Sequence, residues 1–326
     1  RYARNPAADL LIYRSSRLNY PHQGPTPMAI KLAFSNVACP DWTIEELAAK
    51  AEQMGYAGVE LRTLGDEAGP SLACDPALVD AAKINSVFKA HGIEAVCLST
   101  SLAFHHVNES RGRAAMIAGR RYIEQAAAIG CHAVRFFGHE MPPGHNRQST
   151  LQRVAERIAP LLDAAGEQGV QVLFENGGGF NRAKEWWWLF NLVEHPMLGL
   201  AWNVANAAAA GEPPSVSVPV LNSRIRLAKL KDAKLGEGSG FVQLGDGTVP
   251  VREFLRRLCG IGYSGYLSVE WDRLWLPALE EADTFLPEAH ARLTEWLTDI
   301  AEKAEVSKGK HKGAEAGERP PIAGAV

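Results

Sequence analysis

The run CHAVRFF (131–137) is followed by LQRVAERIAPLLDAAGEQG (151–169) and then by VQVLFEN (170–176). The first and last of these runs are short and apolar, which is typical of buried strands. The middle segment places apolar residues at i, i+3, i+4 and i+7, the spacing of an amphipathic helix with one face on a core. The order strand, helix, strand predicts two parallel strands joined by a crossover helix.

The same unit recurs in both directions along the chain, so that eight apolar runs alternate with helical segments such as TIEELAAKAEQMGY (43–56). The other six runs are IKLAF (30–34), AGVELR (57–62), IEAVCLS (93–99), LGLAWN (198–203), IRLAKLKD (225–232) and GYLSVEW (265–271). Eight parallel strands can close on themselves, which removes both edges of the sheet. The repeat therefore predicts an α/β fold of the (β/α)8 TIM barrel type.

An open dinucleotide-binding sheet is the main alternative, and its phosphate-binding motif is missing. Such a sheet needs GxGxxG directly after its first strand, whereas the first strand here runs into SNVACP (35–40). The glycines at 177–179 follow the fifth strand without the spacing and the Lys-Ser/Thr of a phosphate loop. We interpret them as a flexible loop between a strand and a helix.

The chain has 326 residues, of which 46% are hydrophobic and 22% charged, a composition that suits one large globular domain. We assign the barrel to 28–304. Residues 1–27 lack sustained periodicity and precede a strand-like run, so we expect an N-terminal extension outside the fold. The Gly-, Pro- and Lys-rich segment 305–326 predicts a disordered C-terminal tail.

Charge and cysteine content exclude several classes of partner. The net charge of −3 provides no field that would attract nucleic acid or an anionic membrane, and no segment is long and apolar enough to cross a bilayer. The five cysteines lie far apart, with no zinc-finger spacing, which is typical of free thiols in a reducing compartment. By elimination, we expect a cytoplasmic protein.

Polar residues at the carboxyl ends of barrel strands point into the active site. Glu60 and Arg62 are two apart on one strand face, so an internal ion pair at the rim competes with substrate contact. Asp232 is interpreted as a residue that orients a neighbouring lysine. The candidates for substrate binding are Glu60, Arg62, His105, Arg135, His139, Asn203, Lys231 and Trp271, with Trp275 as an alternative ring to cover a sugar's apolar face.

Two glutamates, Glu175 and Glu270, close the fifth and eighth apolar runs. They are nearly a hundred residues apart, yet a closed barrel would place both at one mouth. Two carboxylates across a small site can withdraw a proton next to a carbonyl and return one. We interpret them as a catalytic acid–base pair, with a structural ion-pair role as the alternative.

These residues resemble the sugar phosphate isomerase/epimerase family, the xylose isomerase-like TIM barrels that include tagatose epimerase-type enzymes and endonuclease IV. The stretches that carry the resemblance are GYAGVELR (55–62), FEN (174–176), KLKDA (229–233), LGDGTVPVREFLRRL (244–258) and GYSGYLSVEWDR (262–273). Their order and spacing span 28–300. The resemblance implies a barrel that acts on a small carbohydrate.

The resemblance also implies a divalent metal, typically Mn, Mg or Co, held by a Glu, an Asp, a His and a second Glu. Glu175 and Glu270 match the two glutamates and would be metal ligands if a metal is bound. Asn203 stands in place of the Asp, and Lys229 stands in place of the His. An ammonium has no lone pair for a metal, and an amide is a weaker ligand than a carboxylate, so we predict no tightly bound metal or other cofactor.

Formal charges indicate what replaces the metal. Two Glu, one Asp, one neutral His and a dication sum to −1, as do two Glu, one Asn and one protonated Lys. We therefore interpret Lys229 as a catalytic cation in the electrostatic place of the metal. A decayed site, in which Lys229 forms only an internal salt bridge, is the alternative.

The leading function is a sugar or keto-sugar isomerase or epimerase that uses Glu175 and Glu270 as its acid–base pair. A hydratase or lyase that acts next to a keto-sugar carbonyl and a non-catalytic carbohydrate-binding barrel are the alternatives. Nuclease activity would need a richer His/Asp cluster and a basic groove. Barrels of this type often form homodimers, and the sequence leaves the oligomeric state open.

Overall fold

The computed structural model describes residues 30–63, 80–137, 140–236 and 240–315. Eight parallel strands close into a barrel in the order β1-β10-β7-β6-β5-β4-β3-β2. These strands are β1 (Lys31–Ser35), β2 (Gly58–Arg62), β3 (Glu94–Ser99), β4 (Ala133–Phe136), β5 (Gln171–Glu175), β6 (Leu198–Asn203), β7 (Ile225–Leu230) and β10 (Tyr266–Val269). All eight predicted strands are confirmed, as is the TIM barrel.

Helices follow the strands and pack around the barrel. Within the described ranges they are α1 (Ile44–Met54), α2 (Ala81–Ala90), α3 (Glu109–Ile129), α4 (Arg147–Gln168), α5 (Ala183–Leu192), α6 (Val204–Ala209), α7 (Pro214–Leu221), α8 (Val251–Gly260) and α9 (Ala282–Glu315). Local sequence sets their ends. Thr43 and Glu46 form a reciprocal capping box at the start of α1, and Gly55 ends that helix at φ 83°, which favours glycine.

The interior of the barrel is built in layers. Inward side chains of six strands supply a small apolar layer that includes Ala33, Cys97, Ala133, Leu173, Ala201 and Leu227. Because side chains alternate along a strand, the next inward positions lie two residues further on. These are Ser35, Ser99, Arg135, Glu175, Asn203 and Lys229, and all six are buried. A polar layer therefore lies directly above the apolar one, toward the carboxyl ends of the strands.

A two-stranded antiparallel hairpin, β8 (Asp232–Ala233) with β9 (Phe241–Val242), follows β7 and was not predicted. Its loop is organised by the Asp232 carboxylate, which accepts backbone N–H groups of Ala233, Gly245, Gly247 and Val249 at 2.8–3.2 Å. Our interpretation of Asp232 as a residue that orients a lysine was wrong, because these four donors occupy both of its oxygens.

The two ends of the chain lie largely outside the described residues. Helix α9 extends to Glu315, past the domain boundary at 304 that we predicted from the sequence. The N-terminal extension remains a prediction, as does the disorder of the tail beyond Glu315.

Among the residues described, none of the helices combines the length and the apolar character that crossing a membrane would require.

Replacing Asp232 by Ala should lower the free energy of unfolding by about 2–4 kcal/mol, because four backbone donors lose their acceptor. Urea denaturation followed by circular dichroism measures this change. The matched control is Asp283→Ala, which removes an exposed carboxylate paired with Lys50 at 2.7 Å and should cost less than about 1 kcal/mol. Equal effects of the two substitutions would contradict the structural role of Asp232.

Candidate functional site

A buried lysine forms the centre of the polar layer. The Lys229 ammonium is fully buried, and its Nζ lies 2.8 Å from Glu60, 2.9 Å from Glu175 and 2.6 Å from Glu270. The ammonium donates hydrogen bonds to Glu60 and Glu175 and forms an ion pair with Glu270. The structure thus brings together the three residues predicted to be catalytic, Glu175, Glu270 and Lys229, and adds Glu60.

Further donors fix the two deeper carboxylates. The Ser99 and Ser268 hydroxyls donate to the two oxygens of Glu60 at 2.5 and 2.6 Å. The Arg135 guanidinium lies 3.0 Å from Glu175 and donates to the Thr100 carbonyl at 2.5 Å. We call Glu60, Glu175, Glu270, Lys229 and Arg135 the charge cluster; its formal charges sum to −1.

Asn203 joins two members of the charge cluster. Its amide donates to Glu175 at 3.0 Å and to Glu270 at 2.7 Å, and its oxygen accepts backbone N–H groups at the start of α6. Asn176 holds the Asn203 backbone through two hydrogen bonds of 2.7 and 2.9 Å. The helix cap therefore fixes the amide orientation, so that its N–H donors face the carboxylates.

The cluster opens outward at Glu270. This residue is 8% exposed, whereas Glu175 is 2% exposed and Glu60 is fully buried. The Lys231 ammonium lies 3.6 Å from Glu270 and 3.0 Å from the half-buried carboxylate of Asp272. The Lys231–Asp272 pair therefore forms the outer edge of the site.

Charge compensation fixes the protonation states within the cluster. Burial alone would raise the pKa of Glu60 and Glu270, but the nearby positive charge of Lys229 outweighs it and lowers both pKa values. Burial would lower the pKa of Lys229, and its three carboxylate neighbours raise it instead. Both glutamates are thus ionised and the lysine is protonated at neutral pH, so Lys229 cannot act as a neutral amine nucleophile.

Asp272 differs from the glutamates. Burial and the negative charge of Glu270 raise its pKa above the ordinary value, and Lys231 opposes them only in part.

Arg62 and His105 lie on loops or strand ends around the cluster. The Arg62 guanidinium donates to the carbonyls of Thr63 and Ser99 and to the Ser101 hydroxyl, and it lies 5.8 Å from the exposed Trp275 ring. It therefore does not form the rim ion pair with Glu60 that the sequence left open.

His105 lies on the β3–α3 loop, where burial and the charges of His106 and Arg111 lower its pKa to about 4. That loop is held by the Arg157 guanidinium, which donates to the carbonyls of Phe104 at 2.9 Å and His106 at 2.6 Å.

The prediction that Trp271 contacts substrate does not match its position. Its ring is buried and stacks on Phe285 with centroids 3.8 Å apart, and its indole N–H donates to the Glu280 carbonyl. Residue 271 has the opposite parity to Glu270 on the strand, so its side chain points away from the barrel interior. Trp275 remains as the exposed ring of this loop. His139 lies outside the described residues.

Sequence reasoning missed Ser99, Ser268 and Asp272. Ser268 and Asp272 have the same parity as Glu270, and Ser99 lies two residues after Cys97 on the inward face of β3. That signal was available in the sequence.

The residues present do not fit a divalent metal ion. A protonated ammonium occupies the centre of the three carboxylates, and Asn203 offers an amide where a carboxylate would bind more strongly. In the part of the chain that the structure describes, no group of three or more His, Cys, Asp or Glu side chains could hold a metal.

Comparison with known proteins agrees with this architecture. The sequence matches, over residues 48–300, a family model described as xylose isomerase-like TIM barrel. No curated protein matches it. A solved structure of L-ribulose 3-epimerase has a TM-score of 0.72 and 15% identity, with 89% of this chain and 100% of that chain covered.

Two other solved structures are similar in fold. The probable 3-DHS dehydratase AsbF from Bacillus anthracis has a TM-score of 0.67 and 16% identity, with 81% of this chain and 99% of that chain covered. The IOLI protein, solved with a bound zinc atom, has a TM-score of 0.67 and 19% identity, with 84% and 99% covered.

Replacing Lys229 by Met should lower the free energy of unfolding by about 3–5 kcal/mol, because three buried carboxylates lose their shared cation. In the wild type, Glu60 and Glu270 have lowered pKa values, so their stabilisation is present above about pH 4.3 and is lost as the pH falls toward their folded-state pKa values. Lys229 has a raised pKa, so its contribution is present below about pH 10.4 and is lost only as the pH rises through the folded-state value.

The sign of this pH dependence should reverse in the Lys229→Met variant. Its unpaired carboxylates would take up protons in the folded state, so the urea midpoint should be higher at pH 5 than at pH 7.5. Lys50→Met, which breaks an exposed pair with Asp283, is the control and should show no reversal. A variant as stable as the wild type, or less stable at pH 5 than at pH 7.5, would contradict this account.

Metal binding provides a second test of the cluster. Isothermal titration calorimetry with Mn²⁺, Mg²⁺ and Co²⁺ should show no stoichiometric tight binding to the wild type. The double substitution Asn203→Asp with Lys229→His removes the ammonium and adds a carboxylate and an imidazole, so it should bind one Mn²⁺ or Co²⁺ per chain. Tight stoichiometric binding to the wild type would show that the ammonium does not exclude a metal.

Proposed function

The chain belongs to the xylose isomerase-like TIM barrel family, and we propose that it is a sugar or keto-sugar isomerase or epimerase that works without a tightly bound metal. One observation carries the proposal: at the carboxyl ends of the strands, a buried ammonium lies within 2.6–2.9 Å of three carboxylates. This is the end of a TIM barrel at which active sites are found. A fixed positive charge in such a site can orient carboxylates as a metal would.

The proposed substrate class is a small carbohydrate. Support comes from solved structures of similar fold, which include L-ribulose 3-epimerase and D-allulose 3-epimerase with D-allulose bound. The net charge is −3, and the sequence contains no pattern of Lys and Arg residues that predicts a basic groove. Both features favour a small-molecule substrate over nucleic acid. We also propose that the protein is cytoplasmic and forms a homodimer.

Glu175 and Glu270 form the proposed acid–base pair, and they differ in how deeply they are buried. Glu270 lies at the open edge of the cluster, so it is the carboxylate that contacts the substrate and takes the proton from the carbon next to the carbonyl. Glu175 lies deeper and shares both Lys229 and the Asn203 amide with it. Lys229 and Asn203 thus hold the pair in a fixed geometry.

Removal of a proton next to a carbonyl is also the first step of dehydration. A hydratase or lyase acting next to a keto-sugar carbonyl would use the same Glu270. The enolate would then re-form the carbonyl and expel the β-hydroxyl group, which takes up the proton from Glu270 and leaves as water. A solved structure of similar fold is that of a probable dehydratase, AsbF. Product identity, rather than site geometry, separates these two reactions.

One observation favours a second candidate, a non-catalytic carbohydrate-binding barrel. The Lys229 ammonium is in contact with three carboxylates, and its charge holds Glu60 and Glu270 ionised. A cluster satisfied in this way can be a structural remnant whose outer edge still binds sugars.

We expect the wild type to exchange a carbon-bound proton of its substrate with solvent, because the proposed reaction breaks a C–H bond. The measurement is proton NMR in D₂O with a panel of sugars, sugar phosphates and 3-keto-sugars. Glu270→Gln should reduce the exchange rate by roughly 100-fold or more, since the amide cannot take up the proton.

The matched control is Glu94→Gln, which changes a half-exposed glutamate paired with Lys31 near the opposite end of the barrel strands. It should leave the exchange rate within about twofold of the wild type. Saturable sugar binding without any exchange would favour the non-catalytic barrel. A dehydrated product would assign the hydratase or lyase reaction.

A further inference from the structure

We propose that Lys231, and not Lys229, is the cation that binds the substrate's carbonyl oxygen, and that Asp272 positions it. This inference rests on the proposed function and assigns a part of the reaction to residues outside the charge cluster. Lys229 then has a different task, which is to hold the three glutamates together.

Lys229 is poorly placed to bind a substrate oxygen, because it is buried among three carboxylates. Its Nζ contacts Glu60, Glu175 and Glu270 at 2.6–2.9 Å, and an ammonium has only three N–H bonds. A substrate oxygen could bind it only by displacing a carboxylate, which would leave a buried charge without its partner. Lys229 is also fully buried beneath the surface of the mouth.

Lys231 has the opposite properties. It follows β7 two residues after Lys229, with the same strand parity, and therefore lies further out along the barrel. Its side chain is 16% exposed. Its Nζ hydrogen bonds to Asp272 at 3.0 Å and forms an ion pair with Glu270 at 3.6 Å. Among the contacts between described residues, these two leave one N–H donor for a substrate oxygen.

During enolisation, charge changes at the base that takes the proton and at the carbonyl oxygen. Glu270 and Lys231 lie side by side, so that one can act as this base while the other binds the oxygen. The Glu270 carboxylate takes the proton from the carbon next to the carbonyl. The C–H electron pair becomes the C=C bond of an enolate, and the carbonyl π pair becomes a lone pair on oxygen. That oxygen gains negative charge next to the Lys231 ammonium, and return of the proton to carbon reverses each change.

Asp272 keeps Lys231 away from the base. Its carboxylate hydrogen bonds to Lys231 at 3.0 Å, whereas Glu270 is 3.6 Å away. Without Asp272, the ammonium would move into a direct hydrogen bond with Glu270 and occupy the oxygen that must receive the proton. Lys231 also lies 5.0 Å from the Phe241 ring, which limits its motion on the other side.

The experiment replaces Lys231 by Ala and supplies ethylammonium in solution. With the substrate found in the D₂O screen, Lys231→Ala should lower kcat by roughly 100-fold, with KM changed less than about threefold, as expected for loss of one donor to an oxyanion. Ethylammonium should raise the kcat of this variant at least about tenfold, because the Lys231 side chain is partly exposed and the amine can enter the space that it vacates. Lys231→Met, which fills the space of the lysine stem without its charge, should show the loss without the rescue.

Asp272 is tested as a positioning residue. Asp272→Ala should lower kcat by about tenfold at unchanged KM, and Asp272→Glu should recover most of the activity, which a purely structural role would not predict. Lys50→Ala, at an exposed pair on the outside of the barrel, is the matched control for ethylammonium and should be unaffected by it.

The outcomes separate this inference from the proposed function. Exchange by the wild type together with a Lys231→Ala variant within about threefold of it would overturn the role of Lys231 and leave the proposed function intact. A loss that ethylammonium does not reverse, accompanied by an equal rise in KM, would likewise overturn it. Absence of exchange in the wild type with every substrate would overturn both.

Discussion

The contact of one buried ammonium with three carboxylates is the interaction on which the rest of this site depends. Lys229 lies within 2.6–2.9 Å of Glu60, Glu175 and Glu270, which come from three other strands of the barrel. In a low-dielectric interior these charges interact strongly, and none can be removed without leaving another uncompensated. The hydroxyl and amide donors around them add hydrogen bonds to the same three carboxylates, and the Arg135 guanidinium adds an ion pair with Glu175.

The site therefore has two parts: a buried interior around Lys229 and a partly exposed edge around Lys231 and Asp272. The interior is tightly paired, since the Lys229 ammonium is in contact with three carboxylates, and these carboxylates also accept serine hydroxyl or asparagine amide donors from other strands. The edge, where Glu270 meets Lys231 and Asp272, is partly exposed and less fully paired. Chemistry on a substrate is thus best supported at the edge, while the interior provides geometry and a constant electric field.

The barrel and the convergence of Glu175, Glu270 and Lys229 were predictable, because parallel strands place their carboxyl ends at one mouth regardless of sequence separation. The role of Glu60 was not, since its contact with Lys229 depends on how strands far apart in the barrel order face each other. Trp271 was misplaced because strand parity was not applied to it; its neighbour Glu270 points inward, so it must point outward. The four-donor contact of Asp232 involves a loop up to 17 residues away, which no local pattern reveals.

The covalent attachment of Lys229 to β7 has a further consequence. A bound ion occupies its site only to the extent that its concentration exceeds a dissociation constant. Here the central cation is delivered by the polypeptide itself, so the centre is complete in every molecule whose barrel has closed. The occupancy of this central cation is therefore set by the folding equilibrium alone.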